Sequence, residues 1–302
     1  MSLSRNLHCY RAFGLCIQSE LALPELIEAD GPADVLITLG SVPAQLAEAI
    51  KAGVLFQVSE SAILVSMEAV GRFLVSGGNA VVIEPANEAD AADIRTFLLG
   101  SVIGALLHQR GLLPIHGSAV AAGKGCAVFT GPSGVGKSTL TAALAARGRR
   151  ILSDDISAVQ LHEKQSLLLP AFPRLKLWAD ALQQLQHVPE TYFKLRRRID
   201  KYAFPIEHQF QATALPLHTL IVLGTHASAD LRVSALRGVD ALKAIKDNVY
   251  RLNFVAGPQA TRRLFDLSTR LAKQVRVLSL TRPTRPFLLS ELADRVDAEL
   301  GQ

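Results

Sequence analysis

The chain has 302 residues, of which 49% are hydrophobic and 20% charged, with a net charge of +5. This composition predicts a globular protein with room for two modest domains. Lys and Arg are spread along the chain apart from one cluster, so the charge does not argue for nucleic-acid binding. The cysteines lack metal-ligand spacing, and we find neither a signal peptide nor an apolar stretch of about 20 residues. We therefore predict a cytoplasmic protein without membrane contact.

The first part of the chain, to about residue 86, has mostly strand-like patterns. A helical pattern at residues 43–51 interrupts them, and short Ser, Gly and Asn breaks separate them as in an antiparallel meander. The predicted strands are residues 35–39, 54–58, 62–66, 72–76 and 80–84. No concentrated chemistry occurs here, so we predict a small α/β domain over residues 1–88 that packs against, or presents substrate to, a second domain.

The second predicted domain covers residues 89–302. Residues 88–110 have helical spacing and end at Gly111, and two paired strands follow at residues 114–121 and 125–130. Later strands (219–223, 231–233, 275–280) alternate with helices (239–250, 259–273, 290–299). The predicted fold class is α/β, with a P-loop domain preceded by a small α/β N-terminal domain.

Residues 131–139 read GPSGVGKST, which fits the Walker A pattern. An apolar strand precedes this segment and an Ala/Leu-rich helix follows it, which is the order such a phosphate loop requires. Its glycines allow the backbone to wrap phosphates at the positive end of the helix. Lys137 would reach the outer phosphates and Ser138 would coordinate Mg²⁺. The predicted ATP-binding residues are Gly131, Pro132, Ser133, Gly134, Val135, Gly136, Lys137, Ser138 and Thr139.

An acidic pair, Asp154-Asp155, closes the next predicted strand. One carboxylate would hold Mg²⁺ together with Ser138, and the other would accept the proton of an attacking hydroxyl group. A solvated turn is the alternative. His116 lies on a strand entering the same domain and could polarise a phosphate oxygen, although a lone histidine is more often a satisfied core residue.

These motifs together carry a family resemblance. The run from Ile115 to Asp155 resembles the catalytic domain of HPr kinase/phosphorylase in its His-Gly strand, Walker loop, Arg-Gly helix end and Asp-Asp pair. The resemblance implies that Lys137 and Ser138 hold ATP and Mg²⁺, that Asp155 is the catalytic base, that Asp154 assists the metal or the base, and that His116 supports the phosphoryl site. Ser138, Asp154 and Asp155 are the candidate metal ligands.

Two departures from that family stand out. Thr139 replaces a Glu, and the stretch FPRLKLWAD at residues 172–180 stands in place of a Glu-Ile-Arg-Gly signature. The layout is more similar to HPr-kinase-related proteins found beside ribosomal-peptide clusters, including kinases that phosphorylate a C-terminal serine of lasso-peptide precursors.

Basic residues downstream are candidate phosphate or substrate contacts. Arg174 and Lys176 alternate on a predicted strand and so share one face. The run at residues 194–201, with Arg197 and Arg198, could be a lid that closes over the triphosphate or clamps an acidic peptide terminus, and a solvated segment is the alternative.

The predicted function is an ATP-dependent serine kinase acting on a peptide or small protein that carries a serine. A lasso-type precursor is favoured over an HPr-like protein, and a homo-oligomer remains open. A regulatory P-loop ATPase and a small-molecule kinase are the alternatives.

Overall fold

The computed structural model of the chain describes residues 7–196, 199–285 and 288–301. It is a mixed α/β protein that divides into two compact units. The first unit comprises Met1–Leu112 and Arg251–Phe265, and the second comprises Leu113–Tyr250 and Asp266–Gln302. This grouping by contacts differs from the predicted boundary after residue 88, which stays a prediction about independently folding domains.

In the described part of the first unit, nine strands form one sheet with the order β3-β1-β2-β4-β9-β8-β7-β6-β5. Their bounds are β1 His8–Ala12, β2 Leu15–Ser19, β3 Ile27–Glu28, β4 Val35–Leu39, β5 Lys51–Gly53, β6 Phe56–Val58, β7 Ala62–Met67, β8 Gly71–Ser76 and β9 Ala80–Pro85. Strands β6 to β9 form the predicted antiparallel meander, whereas β4 is parallel to both β2 and β9. Alternating burial along β8 shows that one face of the sheet is covered.

The predicted helix at residues 43–51 is wrong. These residues form turns that lead into β5. The backbone N–H of Leu46 donates to Oε1 of Gln57, and that of Ile50 donates to the carbonyl oxygen of Val58. Bonds to the β6 segment thus replace the bonds that a helix would make within itself, so tertiary pairing overrides local propensity.

A long helical segment in the first unit confirms the helix predicted at residues 88–110. It consists of α1 Ala91–Phe97, a short π-helix at Leu98–Val102 and α2 Ile103–Gln109. The side chain of Asp90 caps its N-terminus. Among the described helices, this segment is long and apolar enough, by length and composition, to cross a membrane. The core helix of a soluble protein passes the same test, and 61% of the segment's most apolar window is buried inside the protein. The expectation of no membrane contact stays a prediction.

The second unit contains the remaining strands and most helices of the described residues. The strands are β10 Leu113–Ala122, β11 Gly125–Thr130, β12 Ile151–Ser153, β13 Ile156–Leu161, β14 Ser166–Leu169, β15 Arg174–Trp178, β16 Phe193–Arg196, β17 Ile199–Pro205, β18 Leu215–His226, β19 Arg232–Leu236 and β20 Arg276–Pro283. The helices are α3 Lys137–Ala146, α4 Ala179–Gln184, α5 Gly238–Asp247, α6 Pro258–Gln274, which crosses the boundary between the units, and α7 Leu289–Leu300.

The main sheet of the second unit has the order β11-β10-β13-β14-β18-β20-β19, with β12 on β10. Strand β18 is also parallel to β11 and to β20. Because parallel strands end at the same edge of a sheet, the loop after β11 emerges beside the carboxyl ends of β18 and β20. Strands β15, β17 and β16 form a separate antiparallel sheet. A core of large apolar side chains from α3, α7 and both sheets holds these elements together.

Candidate functional site

The segment between β11 and α3 is a glycine loop, as its sequence predicts. Gly131, Gly134 and Gly136 have φ angles of 132°, 81° and 106°, which favour glycine. A Cβ atom at position 131 would overlap the carbonyl oxygen of Leu223 in β18, so the neighbouring strand requires glycine there. At Gly134 no atom lies within 4 Å of an added Cβ. The loop therefore leaves open space against its backbone, which a phosphate group could fill.

The other loop residues divide by burial. Pro132 and Ser133 are exposed, while Val135 and Thr139 are buried. The side chain of Val135 belongs to the hydrophobic core of the unit. Its carbonyl oxygen accepts a hydrogen bond of 3.1 Å from Nη2 of Arg282, at the end of β20. One side of the loop is thus fixed to the sheet, and the exposed side remains accessible.

Lys137 begins α3 and is only 7% exposed. Its Nζ atom donates to the carbonyl oxygens of Gly131 at 2.9 Å and Pro132 at 3.1 Å. Burial lowers the pKa of this ammonium group, against the opposite influence of Asp154 and Asp155. Among the described residues, the buried Lys137 ammonium group therefore has only neutral carbonyl oxygens as hydrogen-bond acceptors. An anionic ligand would bind it more strongly than these oxygens do.

Asp154, at the end of β12, is 5% exposed and has donors for both carboxylate oxygens. Oδ1 accepts hydrogen bonds from Oγ of Ser118 at 2.6 Å and Oγ of Ser138 at 2.8 Å. Oδ2 accepts one from the backbone N–H of Lys176 at 2.7 Å. The carboxylate thus connects β10, α3 and β15. It also fixes the hydroxyl group of Ser138, the second residue of α3.

Asp155 differs from its neighbour because it is held by cations. Its φ angle is 69°, in the left-handed region that few residues other than glycine, asparagine and aspartate adopt. Oδ2 forms an ion pair of 2.7 Å with Nζ of Lys176, and these side chains are 19% and 10% exposed. Burial alone would raise the pKa of Asp155, but Lys176, Lys201 and His116 outweigh it and hold the pKa well below its usual range.

His116 lies on β10, beside Asp155. Its Nδ1 atom is 3.1 Å from the carbonyl oxygen and 3.5 Å from Oδ1 of Asp155. Both oxygens can only accept while the carboxylate is ionised, so Nδ1 carries a proton in this arrangement. Burial, followed by the charge of Lys137, lowers the pKa of His116, so the ring is neutral near pH 7. The ring of Tyr250 lies against it, with 5.8 Å between centroids.

The remaining predicted basic residues lie in different places. Arg174 and Lys176 alternate on β15 as the sequence predicts, and Lys176 contacts the acidic pair. The guanidinium group of Arg174 lies over the ring of Phe172, 5.4 Å from its centroid. Arg197 and Arg198 lie outside the described residues.

The described residues of the basic run, 194–196 and 199–201, belong to β16 and β17, which pair antiparallel. Lys194 forms an ion pair of 2.6 Å with Asp200. Lys201 lies over the ring of Trp178, with 5.7 Å from Nζ to the centroid. Burial has the largest influence on both neighbouring pKa values, since it raises that of Asp155 and lowers that of Lys137. The charge of Lys201 lowers the pKa of each group. Lys201 therefore lies within electrostatic reach of the acidic pair.

The donors around the loop fit a triphosphate with Mg²⁺. Magnesium prefers oxygen ligands and retains water, and Ser138 and Asp154 supply a hydroxyl and a carboxylate side by side. Among the described residues, no group of three or more His, Cys, Asp and Glu side chains could hold a metal ion by itself. A cation at this position would complete its coordination with water and phosphate oxygens, as Mg²⁺ does in phosphoryl-transfer sites.

Sequence reasoning missed Ser118 and Arg282 as members of this site, and it included Lys201 only as the end of the basic run at residues 194–201. Ser118 lies two residues after His116, so its side chain points to the same face of β10, and this alternation was the available signal. Arg282 and Lys201 reach the site through strand pairings over long sequence separations, which no local pattern shows.

No family model matches the chain, and no curated protein matches it. Among solved structures, the Hpr(Ser) kinase/phosphatase from Coxiella burnetii is similar to this chain at 13% sequence identity and a TM-score of 0.30. The match covers 61% of this chain and 86% of that chain. A TM-score this low carries no functional assignment, so the function proposed below rests on the chain's own residues.

Proposed function

We propose that the chain is an ATP-dependent kinase that transfers the γ-phosphate of ATP to a serine hydroxyl group of a peptide or small protein. One observation carries this proposal. The hydroxyl group of Ser138 in the phosphate loop is bonded to Asp154, and Asp155, the next residue, is paired with Lys176. A glycine loop of the Walker type, a carboxylate that could hold a metal ion and a second, ionised carboxylate therefore lie together.

ATP with Mg²⁺, when bound, would supply the phosphoryl group and neutralise much of its charge. The loop backbone at Gly134 and the Lys137 ammonium group would bind the phosphates. Because its present carbonyl partners are weaker than an anion, Lys137 would exchange them for phosphate oxygens. Ser138 and Asp154 would hold the cation.

Asp155 would accept the proton of the attacking hydroxyl group. A bond forms between the serine oxygen and phosphorus, the bond from phosphorus to the bridging oxygen of ADP breaks, and the proton passes to Asp155 and then to water. The depressed pKa keeps Asp155 ionised at neutral pH but makes it a weak base. A weak base suits a loose transition state, in which the hydroxyl proton becomes acidic late in the transfer.

His116 would orient Asp155 rather than transfer a proton itself. Its neutral ring donates from Nδ1 toward the backbone oxygen of Asp155, which has a left-handed φ angle of 69°. Holding that backbone in place would keep the carboxylate aimed at the incoming hydroxyl group.

The substrate is the least constrained part of the proposal. The resemblance of residues 115–155 to HPr kinase/phosphorylase supports a protein or peptide serine, and the overall layout favours a lasso-type precursor over an HPr-like protein. A cytoplasmic location and the absence of nucleic-acid partners remain predictions from composition and sequence pattern, and the peptide or small-protein partner remains a prediction from the resemblance.

Intact-mass spectrometry tests the proposal directly. The protein is incubated with ATP and Mg²⁺ and with either an HPr-like protein or a lasso-type precursor peptide ending in serine. We expect one acceptor to gain one phosphate, about 80 Da. ATP consumption without a mass gain on any peptide or protein acceptor would contradict the proposal and favour a regulatory ATPase or a small-molecule kinase.

A further inference from the structure

The sheet formed by β15, β17 and β16 has two chemically different faces. Leu175 and Leu177 of β15 belong to the hydrophobic core, as does Tyr202 of β17. Residues directly opposite each other on antiparallel strands point to the same side. The pairings Lys176↔Ala203 and Trp178↔Lys201 therefore place these residues on the other face, together with Phe193, which is opposite Ala203.

We name this second side the acceptor face and define it by Lys176, Trp178, Phe193, Lys201 and Ala203. It begins at the acidic pair, because Lys176 forms the ion pair with Asp155. From Lys176 the acceptor face extends along β15 to Trp178, which is 46% exposed. It also extends across β17 to Phe193 on β16, which is 59% exposed. Two large aromatic side chains are thus accessible on a surface that adjoins the proposed catalytic base.

The charges on this face favour an anionic partner. Lys176 is neutralised by Asp155, but the ammonium group of Lys201 has no carboxylate within ion-pair distance in the described part of the chain. Asp200, the neighbouring acid, is paired with Lys194, and Lys194 is opposite the core residue Tyr202. Both therefore lie on the other side of the sheet. The acceptor face combines an unneutralised cation with exposed aromatic rings.

We propose that the acceptor face binds the chain that receives the phosphate, and that this acceptor is an acidic peptide segment. An apolar or aromatic side chain of the peptide packs against Trp178 and Phe193, and a carboxylate near the serine pairs with Lys201. This inference rests on the proposed function, because the serine must come within hydrogen-bonding distance of Asp155 for its proton to be accepted. A segment reaching Asp155 from the Trp178 side crosses Lys201 and Trp178.

Two short dye-labelled peptides test the inference by fluorescence anisotropy in the absence of nucleotide. Each contains one serine and one phenylalanine, and the other positions are aspartates in one peptide and lysines in the second. We expect the aspartate peptide to bind the full chain, to bind more weakly as salt is raised, and to bind at least tenfold more tightly than the lysine peptide. The chain has one tryptophan, so a change in intrinsic fluorescence would report contact with Trp178 itself.

The variants separate the acceptor face from the rest of the hairpin. Trp178→Ala is expected to weaken binding about tenfold, as removal of an exposed aromatic anchor does, and Lys201→Gln about threefold. Lys201→Glu should reduce the preference for the aspartate peptide further. Lys194→Gln is the matched control, since it removes the same charge from the opposite face of the same hairpin and should leave binding unchanged.

Equal binding of the two peptides, or equal effects of Lys201→Gln and Lys194→Gln, would overturn the inference. The same protein is also titrated with a fluorescent ATP analogue. If the analogue binds but the aspartate peptide does not, the inference fails and the proposed nucleotide site stands. If the analogue does not bind, the proposed function fails. Quenching of Trp178 by the analogue rather than by the peptide would assign this face to the nucleotide and would also overturn the inference.

Discussion

The phosphate loop and the three-stranded sheet of β15, β17 and β16 build the candidate site in different ways. The loop is one continuous segment, in which glycines, Lys137 and Ser138 are positioned by a buried strand before them and a helix after them. The sheet places Lys176 and Lys201, which are 25 residues apart in the chain, on one face, and Lys176 forms the ion pair with Asp155. Neither region alone completes the site.

The two carboxylates show what this difference means. Asp154 is held by neutral donors, mainly from β10 and from the helix after the loop, and its position is part of the folded framework. Asp155 is held by a lysine side chain from the sheet, which can move without breaking a strand. We infer that the loop side provides a fixed binding site and that the sheet side provides the groups that adjust when substrates bind.

The largest effect is expected from the loop. Lys137→Ala should lower kcat/KM for phosphoryl transfer by on the order of 10³, because a buried cation that would contact the transferred phosphate is lost. Its direct partners are backbone carbonyl oxygens rather than a carboxylate, so thermal unfolding should change much less than phosphoryl transfer. Lys124→Ala, an exposed lysine in the turn before β11, is the matched control. Comparable losses in both variants would show that Lys137 has no special role.

A double-mutant cycle tests the sheet side. Asp155→Asn should lower the transfer rate by on the order of 10² to 10³. It should also cost about 3 kcal/mol of stability, because the buried Lys176 loses its counter-ion. Adding Lys176→Met should restore most of the stability but none of the activity, as measured by denaturant unfolding and kinetics. If the second change restored no stability, the ion pair would not be the interaction that Asp155→Asn breaks.

The backbone geometry of the loop is tested through stability alone. Gly131→Ala should destabilise the protein by about 3 kcal/mol, because it combines a positive φ angle with an overlap on the Leu223 carbonyl oxygen. Gly148→Ala, which also has a positive φ angle but no atom within 4 Å of the added Cβ, should cost about 1 kcal/mol. Thermal unfolding of both variants measures the difference. Equal losses would mean that the contact with β18 does not constrain the loop.

The smallest effect is expected at Ser118. Ser118→Ala removes one donor from Asp154 and should cost about 1 to 2 kcal/mol of stability, since a charged acceptor loses a hydrogen bond. Asp154 is then less firmly held beside Ser138, so the Mg²⁺ concentration for half-maximal activity should rise a few-fold while kcat at saturating Mg²⁺ is kept. Ser234→Ala, an exposed serine on β19, is the control.

The contrast between the two regions also explains what could be predicted from the sequence. The loop, its flanking strand and helix, and the acidic pair are local patterns, and the structure places Lys137, Ser138, Asp154, Asp155 and His116 together. The later helices α5, α6 and α7 were predicted from apolar periodicity, and the structure has all three. A local pattern failed at residues 43–51, where bonds to β6 replaced a helix.

The sheet side could be predicted only in part. Alternation identified Lys176 as facing one side of a strand, but its partner Asp155 is 21 residues away and nothing in either segment specifies the pairing. Lys201 was visible only as part of a basic run. Its position depends on the register between β15 and β17, which is set by side-chain packing in the core rather than by residues near the site.

Transfer of radiolabel from the γ-position of ATP to a serine peptide, by the unmodified chain and by Asp155→Asn, tests the central claim most directly. The account predicts labelled peptide with the unmodified chain, almost none with Asp155→Asn, and nucleotide binding retained by both. Undiminished transfer by Asp155→Asn would contradict the assignment of the base. Release of free phosphate at the same rate with and without peptide would contradict the kinase itself.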